Sequence, residues 1–194
     1  MAGPRTVVFD LGEVLVPSTG VLPVLADELG VSEAALAAAY WPPRRAYDLG
    51  GDPDAYWAAV LAALGRPPEP AVLATLRRQD SARWSALPRQ SRQLLATLAG
   101  TRLGVLSNAP APLAASVRAA PWSRAVDVLV FSADVGLAKP DPRIYTRADA
   151  AYGTDPGQVI FFDDRPDNVA AARDHGWDAH VWAGPDAALS VLAR

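Results

Sequence analysis

The chain of 194 residues contains no cysteine. Disulfides, thiolate zinc sites and a cysteine nucleophile are therefore excluded. Histidine is scarce, with two residues, and neither His175 nor His180 stands in a pattern that suits a ligand or a base. No apolar run reaches the roughly 18 residues a membrane span needs. An excess of positive charge is also missing. The net charge is −3, which gives no electrostatic basis for binding nucleic acid or an anionic membrane. The opening residues "MAGPRTVVFD" carry no signal-peptide pattern, so the expectation is a cytoplasmic protein.

The least expected scarcity is lysine. Of 18 basic residues, 17 are arginine and one is Lys139. A chain that uses arginine for ordinary surface charge and keeps one lysine raises the question of whether that position needs a compact ammonium.

What is present is apolar. Hydrophobic residues make up 51% and charged residues 20%, as in a folded globular chain. Five short continuous apolar runs read as buried parallel strands: "TVVFD" (6–10), "RLGVLSN" (102–108), "VDVLVFS" (126–132), "QVIFFDD" (158–164) and "AHVWA" (179–183). Helical patterns separate the later ones. One opens near Pro88 and stops at Gly100. Another has Asp141 as N-cap, Pro142 at its first position and Gly153 past its end. A third ends at Gly176. Strands alternating with helices predict an α/β fold with a doubly wound, mainly parallel sheet. Residues 17–87 break the rhythm with no strand-like run. Three helical patterns there, the first capped by Ser32 and the second by Asp52, predict an inserted helical unit. The expected division is a core of 1–16 and 88–194 with a helical cap at 17–87.

In open α/β sheets, ligands bind beyond the carboxyl ends of the strands. Those ends carry Asp10, then Ser107 and Asn108, then the approach to Lys139, then Asp163 and Asp164. Three carboxylates crowded together repel one another unless a cation sits among them. An all-oxygen set suits magnesium, which takes one or two carboxylates and keeps waters. Adjacent strand residues face opposite ways, so Asp163 and Asp164 are not expected to bind the ion together. Ser107 and Lys139 would hold an anion beside it, most simply phosphate. Asp10 would then be placed to attack phosphorus. Asn168, in the turn after the double acid, is placed to orient Lys139 or Asp163, or to cap its helix.

The motifs "VVFDLGEVLV", "GVLSNAP", "GLAKPDPRIY" and "VIFFDDRPDNVAAA", in that order, resemble those of the haloacid dehalogenase-like (HAD) hydrolases. The resemblance spans the whole chain. It implies a Rossmann-like core, an aspartyl-phosphate on Asp10, and phosphoryl binding by Ser107 and Lys139. It also implies Mg2+ on Asp10 and Asp164, with Asp163 in support. Most phosphatases of that superfamily read D-x-D, the second acid protonating the leaving group. This chain has Gly12, which keeps only the backbone carbonyl for the metal. In this it resembles the D-x-G-x-V subgroup, which includes phosphatases of sugar phosphates such as glucose-1-phosphate.

The expected function is hydrolysis of a small phosphorylated metabolite by a monomer or homodimer. Either the leaving group departs unaided or a water or substrate hydroxyl carries its proton, or Glu13 acts as the acid, or the chain is a catalytically weak phosphate- or metal-binding module. A haloacid dehalogenase fits less well because of the double acid. Phosphonate hydrolases need a cap lysine, and residues 17–87 contain none. A phosphorelay receiver would carry its acid pair on the first strand and no such insertion. Substrate choice is expected in "YWPPRRAYDLG" (40–50), with Arg44 and Tyr47 as candidate contacts, unless these side chains simply fill the core of the helical unit. Trp57 reads as core.

Overall fold

The computed structural model describes residues 5–194, so the first four residues of the expected core segment lie outside it. Among the described residues, five parallel strands form one sheet in the order β3-β2-β1-β4-β5. These are β1 (Thr6–Phe9), β2 (Arg102–Ser107), β3 (Val128–Phe131), β4 (Val159–Asp163) and β5 (Asp178–Val181). Each expected strand is present, shorter by one to three residues. Asp10 falls just past β1, yet its N–H still donates to Phe162 O at 2.9 Å, so the ladder holds it in place.

Alternate strand residues feed two cores. Val7 and Phe9 face one side with Leu103, Val105 and Phe162. Val8 faces the other with Leu106, Val130 and Phe161. Helices α9 (Pro142–Tyr152) and α10 (Pro166–His175) cover the second side through Tyr145, Tyr152 and Val169. Helix α9 has the predicted ends: Asp141 accepts from Arg143 N, and Gly153 closes the helix at a φ of 60°, where a Cβ is disfavoured. On the first side lie α6 (Arg89–Thr97), α7 (Ala111–Ala119) and α11 (Pro185–Leu192). The sequence pattern predicts no helix at the positions of α7 and α11. Both are short and rich in alanine.

Residues 22–84 hold five helices instead of the three expected: α1 (Leu22–Leu29), α2 (Glu33–Tyr40), α3 (Arg44–Asp48), α4 (Pro53–Ala63) and α5 (Pro70–Trp84). The α1 segment lacks a side-chain cap, and α3 is a single short turn between prolines and glycines. Helix α1 does have Pro23 in its first turn and Gly30 at a φ of 59° past its end, signals outside the three-helix expectation, whereas α3 is too short to show a period. Among the described residues, no helix is long and apolar enough to cross a membrane.

One close approach fixes the sheet against α9. A Cβ on Gly104 would lie 2.8 Å from Cε1 of Tyr152 and 3.1 Å from Cγ2 of Val8. Tyr152 is fully buried, and its hydroxyl donates to Val105 O at 3.0 Å, so it cannot withdraw freely. Gly104→Ala is expected to cost about 1–3 kcal/mol by overpacking, read as a lower urea midpoint at unchanged slope.

Candidate active site

The loop after β1 folds tightly back on itself. Leu15 N and Val16 N both donate to Leu11 O, at 2.9 and 2.8 Å, and Glu13 N donates to Val16 O at 2.9 Å. Glu13 takes a φ of 56°, the left-handed region that costs a non-glycine residue about 1–2 kcal/mol. Its exposed carboxylate accepts from Ser18 N at 3.1 Å, which braces the loop.

Asp10 is nearly buried, and Leu11 N donates to its Oδ1 at 2.6 Å. The Lys139 ammonium lies 3.0 Å from Asp10 Oδ2 and 2.6 Å from Asp163 Oδ2, and donates to Leu106 O at 2.8 Å. An ammonium has three protons, and here there are three acceptors. Asn108, expected from its place at the end of β2 to contact substrate, lines the cavity of the site and also ties down the Lys139 backbone. Its Oδ1 accepts from Lys139 N at 2.8 Å, and its Nδ2 donates to Lys139 O at 3.0 Å. The remaining Asp163 oxygen accepts from Arg165 N and from Asn168 Nδ2, both at 2.9 Å. Asn168 thus orients Asp163.

Charge and burial set the chemistry. Asp10, Asp163 and Asp164 each present an oxygen within 4.8 Å of the others. With Lys139 as the ammonium among them, the ionised set carries a net charge of about −2. Burial pushes the Asp10 carboxyl up to about 7, against the opposing pull of Lys139 and a hydrogen bond from Ser107. Burial and the neighbouring Asp163 also raise Asp164. Burial alone would lower Lys139, but Asp10 and Asp163 outweigh it and hold the ammonium above its usual range. The set is therefore net negative when ionised, and its carboxylate donors are hard oxygens. Asp10 and half-buried Asp164 are the carboxylates that suit a divalent ion, because both oxygens of Asp163 are engaged elsewhere.

Asp163 is buried behind Asp10, Ser107, Asn108, Lys139 and Asp164, which line one cavity of about 800 Å³. Its other wall comes from residues 22–84 and includes Trp41, Arg44, Arg45, Asp48 and Trp84. Of the two predicted substrate contacts there, Arg44 reaches the wall, but its Nε holds Asp48 Oδ1 at 2.7 Å and its Nη1 donates to Tyr40 Oη. Tyr47 does not reach the cavity. It is 1% exposed and stacked on Tyr56 at 4.2 Å, because α3 turns that ring into the core. Trp84 carried no sequence signal of its own, since it reads as one more helical core aromatic. Trp57 is core as expected, and His175 pairs with Asp149 at 2.6 Å.

Behind the wall, Tyr40 Oη donates to Asp80 Oδ1 at 2.7 Å and accepts from Trp84 Nε1 at 2.8 Å. One hydroxyl thus serves Asp80, Trp84 and Arg44. Tyr40→Phe is expected to destabilise the fold by about 3 kcal/mol, because it strands buried donors and a buried carboxylate together. Urea unfolding of the pair checks this.

Known proteins resemble this chain at two levels. Residues 4–176 match the family described as haloacid dehalogenase-like hydrolase. The phosphatase MT3486 of Mycobacterium tuberculosis (strain CDC 1551 / Oshkosh) is 37% identical over 84 residues, which is 42% of this chain and 39% of that protein. The validoxylamine A 7'-phosphate phosphatase of Streptomyces hygroscopicus subsp. limoneus is 36% identical over 75 residues, 38% of this chain and 35% of that protein. The aligned stretches thus span less than half of either relative. Among solved structures, the L-2-haloacid dehalogenase RSc1362 superposes with a TM-score of 0.75 at 21% identity, covering 100% of both chains. A HAD family enzyme from Bacteroides thetaiotaomicron, an Asp-to-Ala mutant in complex with magnesium and inorganic phosphate, gives 0.70 at 17% identity, covering 94% of this chain and 95% of that one. At such identities these structures establish the fold alone.

Proposed function

Because this chain belongs to the haloacid dehalogenase-like hydrolase family, we propose that it is a magnesium-dependent phosphatase of a small phosphorylated metabolite, with Asp10 as nucleophile and residues 17–87 as a cap over the site. The observation that carries this reading is the carboxylate cluster around Lys139, which opens on a cavity walled by both parts of the chain. The phosphatase relatives support the reaction class.

Asp10 Oδ2 would attack phosphorus, with Oδ1 held by the Leu11 N–H so that one oxygen is aimed. Lys139 opposes the upward push of burial on the Asp10 carboxyl and holds it in place. Ser107, at the end of β2, lies on the cavity floor where a phosphoryl oxygen would need a donor. Asp10, Asp164 and the Gly12 carbonyl would hold Mg2+, which when bound offsets the charge of nucleophile and phosphate. Asp163 and Asn168 fix Lys139 from behind.

Dehalogenation needs the aspartate but not the acid-rich surroundings. Asp164 is half-buried beside two other carboxylates, an arrangement with no use in a metal-free site. The second reading, a phosphate- or metal-binding module, is favoured by one observation, the glycine at position 12.

The test is phosphate release from a panel of phosphorylated sugars, nucleotides and short acids, with magnesium and with chelator, alongside chloride release from 2-haloacids. Magnesium-dependent phosphate release supports the phosphatase. No release together with magnesium binding supports the module, and chloride release supports the dehalogenase. A further expectation needs no substrate. At about 100 times its dissociation constant, magnesium should stabilise the fold by about 2.7 kcal/mol, seen as a raised thermal midpoint that Asp164→Asn largely removes.

A further inference from the structure

We propose that Gly12 and Trp84 together form an acid-free wall against the leaving group, so that the site is fitted to phosphate esters of acidic hydroxyls on flat groups, phenols or enols, which depart as anions. This rests on the phosphatase reading and narrows its substrate class.

Trp84 ends α5 and is buried. Its indole is held in place, since its only N–H donates to Tyr40 Oη at 2.8 Å. A Cβ built on Gly12 would sit 3.6 Å from Cζ3 of this ring. A methyl would therefore fit, while a longer side chain at position 12 would meet the indole on that side. The position two residues after the nucleophile thus offers no proton donor, and the ring beside it presents only C–H groups. Trp41, 6.4 Å from Trp84 between ring centroids and 43% exposed, continues the aromatic surface along the cavity. Such a surface complements a flat, unsaturated group.

The carboxylates and the ammonium of the cavity outside the proposed metal set are held by partners. Lys139 has all three protons engaged. Asp48 is paired with Arg44 at 2.7 Å and Asp167 with Arg165 at 2.7 Å, and Glu13 braces the loop after β1 by accepting from Ser18 N on one oxygen. Arg45 and Arg165 line the cavity, but guanidinium groups do not give up protons.

The chemistry balances without one. A carboxylate oxygen of Asp10 attacks phosphorus, and the phosphorus–oxygen bond to the leaving group breaks. Its electron pair leaves on that oxygen, and the phenolate or enolate takes a proton from solvent afterwards. Water then attacks the phosphorus of the aspartyl-phosphate. The bond to Asp10 breaks, the carboxylate is restored, and both protons of the water leave on dihydrogen phosphate. Phenols titrate at about 10, whereas an alkoxide is nearly as basic as the conjugate base of water, pKa about 15.7. Only the latter needs a general acid, which contributes about 10²–10⁴-fold where it acts.

The experiment compares kcat/KM for dinitrophenyl, nitrophenyl, phenyl and alkyl phosphates in saturating magnesium, for the wild type, Gly12→Asp, Gly12→Asp/Trp84→Ala and Asp48→Asn. The expected wild-type result is a steep fall as the leaving group becomes more basic, with the alkyl ester about 10²–10⁴-fold below what an acid-assisted site would give. Gly12→Asp alone should stay steep, and the double variant should flatten. A shallow wild-type dependence overturns the proposal, and one that steepens in Asp48→Asn identifies Asp48 as the acid. No release by the wild type even from the dinitrophenyl ester overturns the phosphatase reading itself, which is distinguishable from a shallow slope.

Discussion

Asp10→Asn should abolish phosphate release, with a loss of about 10⁴-fold or more in kcat, while leaving the fold intact. The substitution keeps the shape of the side chain, and an amide oxygen can still accept from Leu11 N, now 2.6 Å from the carboxylate. It removes one negative charge from a set that carries more carboxylates than ammonium groups. Stability should therefore change by less than about 1 kcal/mol, because relief of repulsion offsets the weakened contact to Lys139. What disappears is the nucleophile, since an amide oxygen does not form a stable bond to phosphorus. Asp164→Asn separates this role from metal binding. If Asp164 serves as a ligand, raising magnesium should restore part of its activity. No magnesium concentration should restore Asp10→Asn. Phosphate release against magnesium, together with a mass measurement for a phosphoryl adduct in wild type and its absence in Asp10→Asn, checks both halves.

The sheet was legible because parallel strands buried on both faces read as unbroken apolar runs. The four segments at the strand ends were legible because polar residues interrupt those runs at the same edge. The pairing of Asn168 with Asp163 at 2.9 Å was one of three readings open from the sequence, and only the packing of α10 against β4 decides it. Lys139 stood out by its rarity, but its distances to Asp10 and Asp163 depend on a loop that Asn108 pins from another strand. No local pattern encodes that.

The wall opposite Asp10 was far less legible. Arg44, Tyr47, Trp41 and Asp48 lie within one short stretch, and a single turn of helix sends Tyr47 inward while leaving the others on the cavity. Side-chain direction in so short a helix follows from tertiary packing and not from periodicity. Trp84 lies 72 residues from Gly12, so their contact appears only when α5 is folded onto the loop after β1. The sequence showed the gap at position 12. It could not show what borders it.

Lys139→Met is expected to have the largest effect on stability, about 3–5 kcal/mol, a large part of the roughly 5–15 kcal/mol that holds a domain folded. The ammonium is fully buried between two carboxylates, at 3.0 Å from Asp10 and 2.6 Å from Asp163. Its removal takes the shared cation from Asp163, which is fully buried, and from Asp10, which borders the cavity. Lys139→Arg should not rescue the loss. Leu106 O and the two carboxylate oxygens converge on a single nitrogen, and a planar guanidinium is too large to replace it there. Magnesium gives the argument its sharpest form. If Asp10 and Asp164 hold the ion, adding it returns a cation to Asp10, and the gap between Lys139→Met and wild type should narrow. The gap should not close, because both oxygens of Asp163 are already engaged, one by Lys139 and the other by Arg165 N and Asn168. Lys139→Met/Asp163→Asn should then recover much of what magnesium leaves. Urea unfolding of the three proteins with magnesium and with chelator measures each part. Equal losses in both conditions would mean that the ion does not share Asp10 with Lys139.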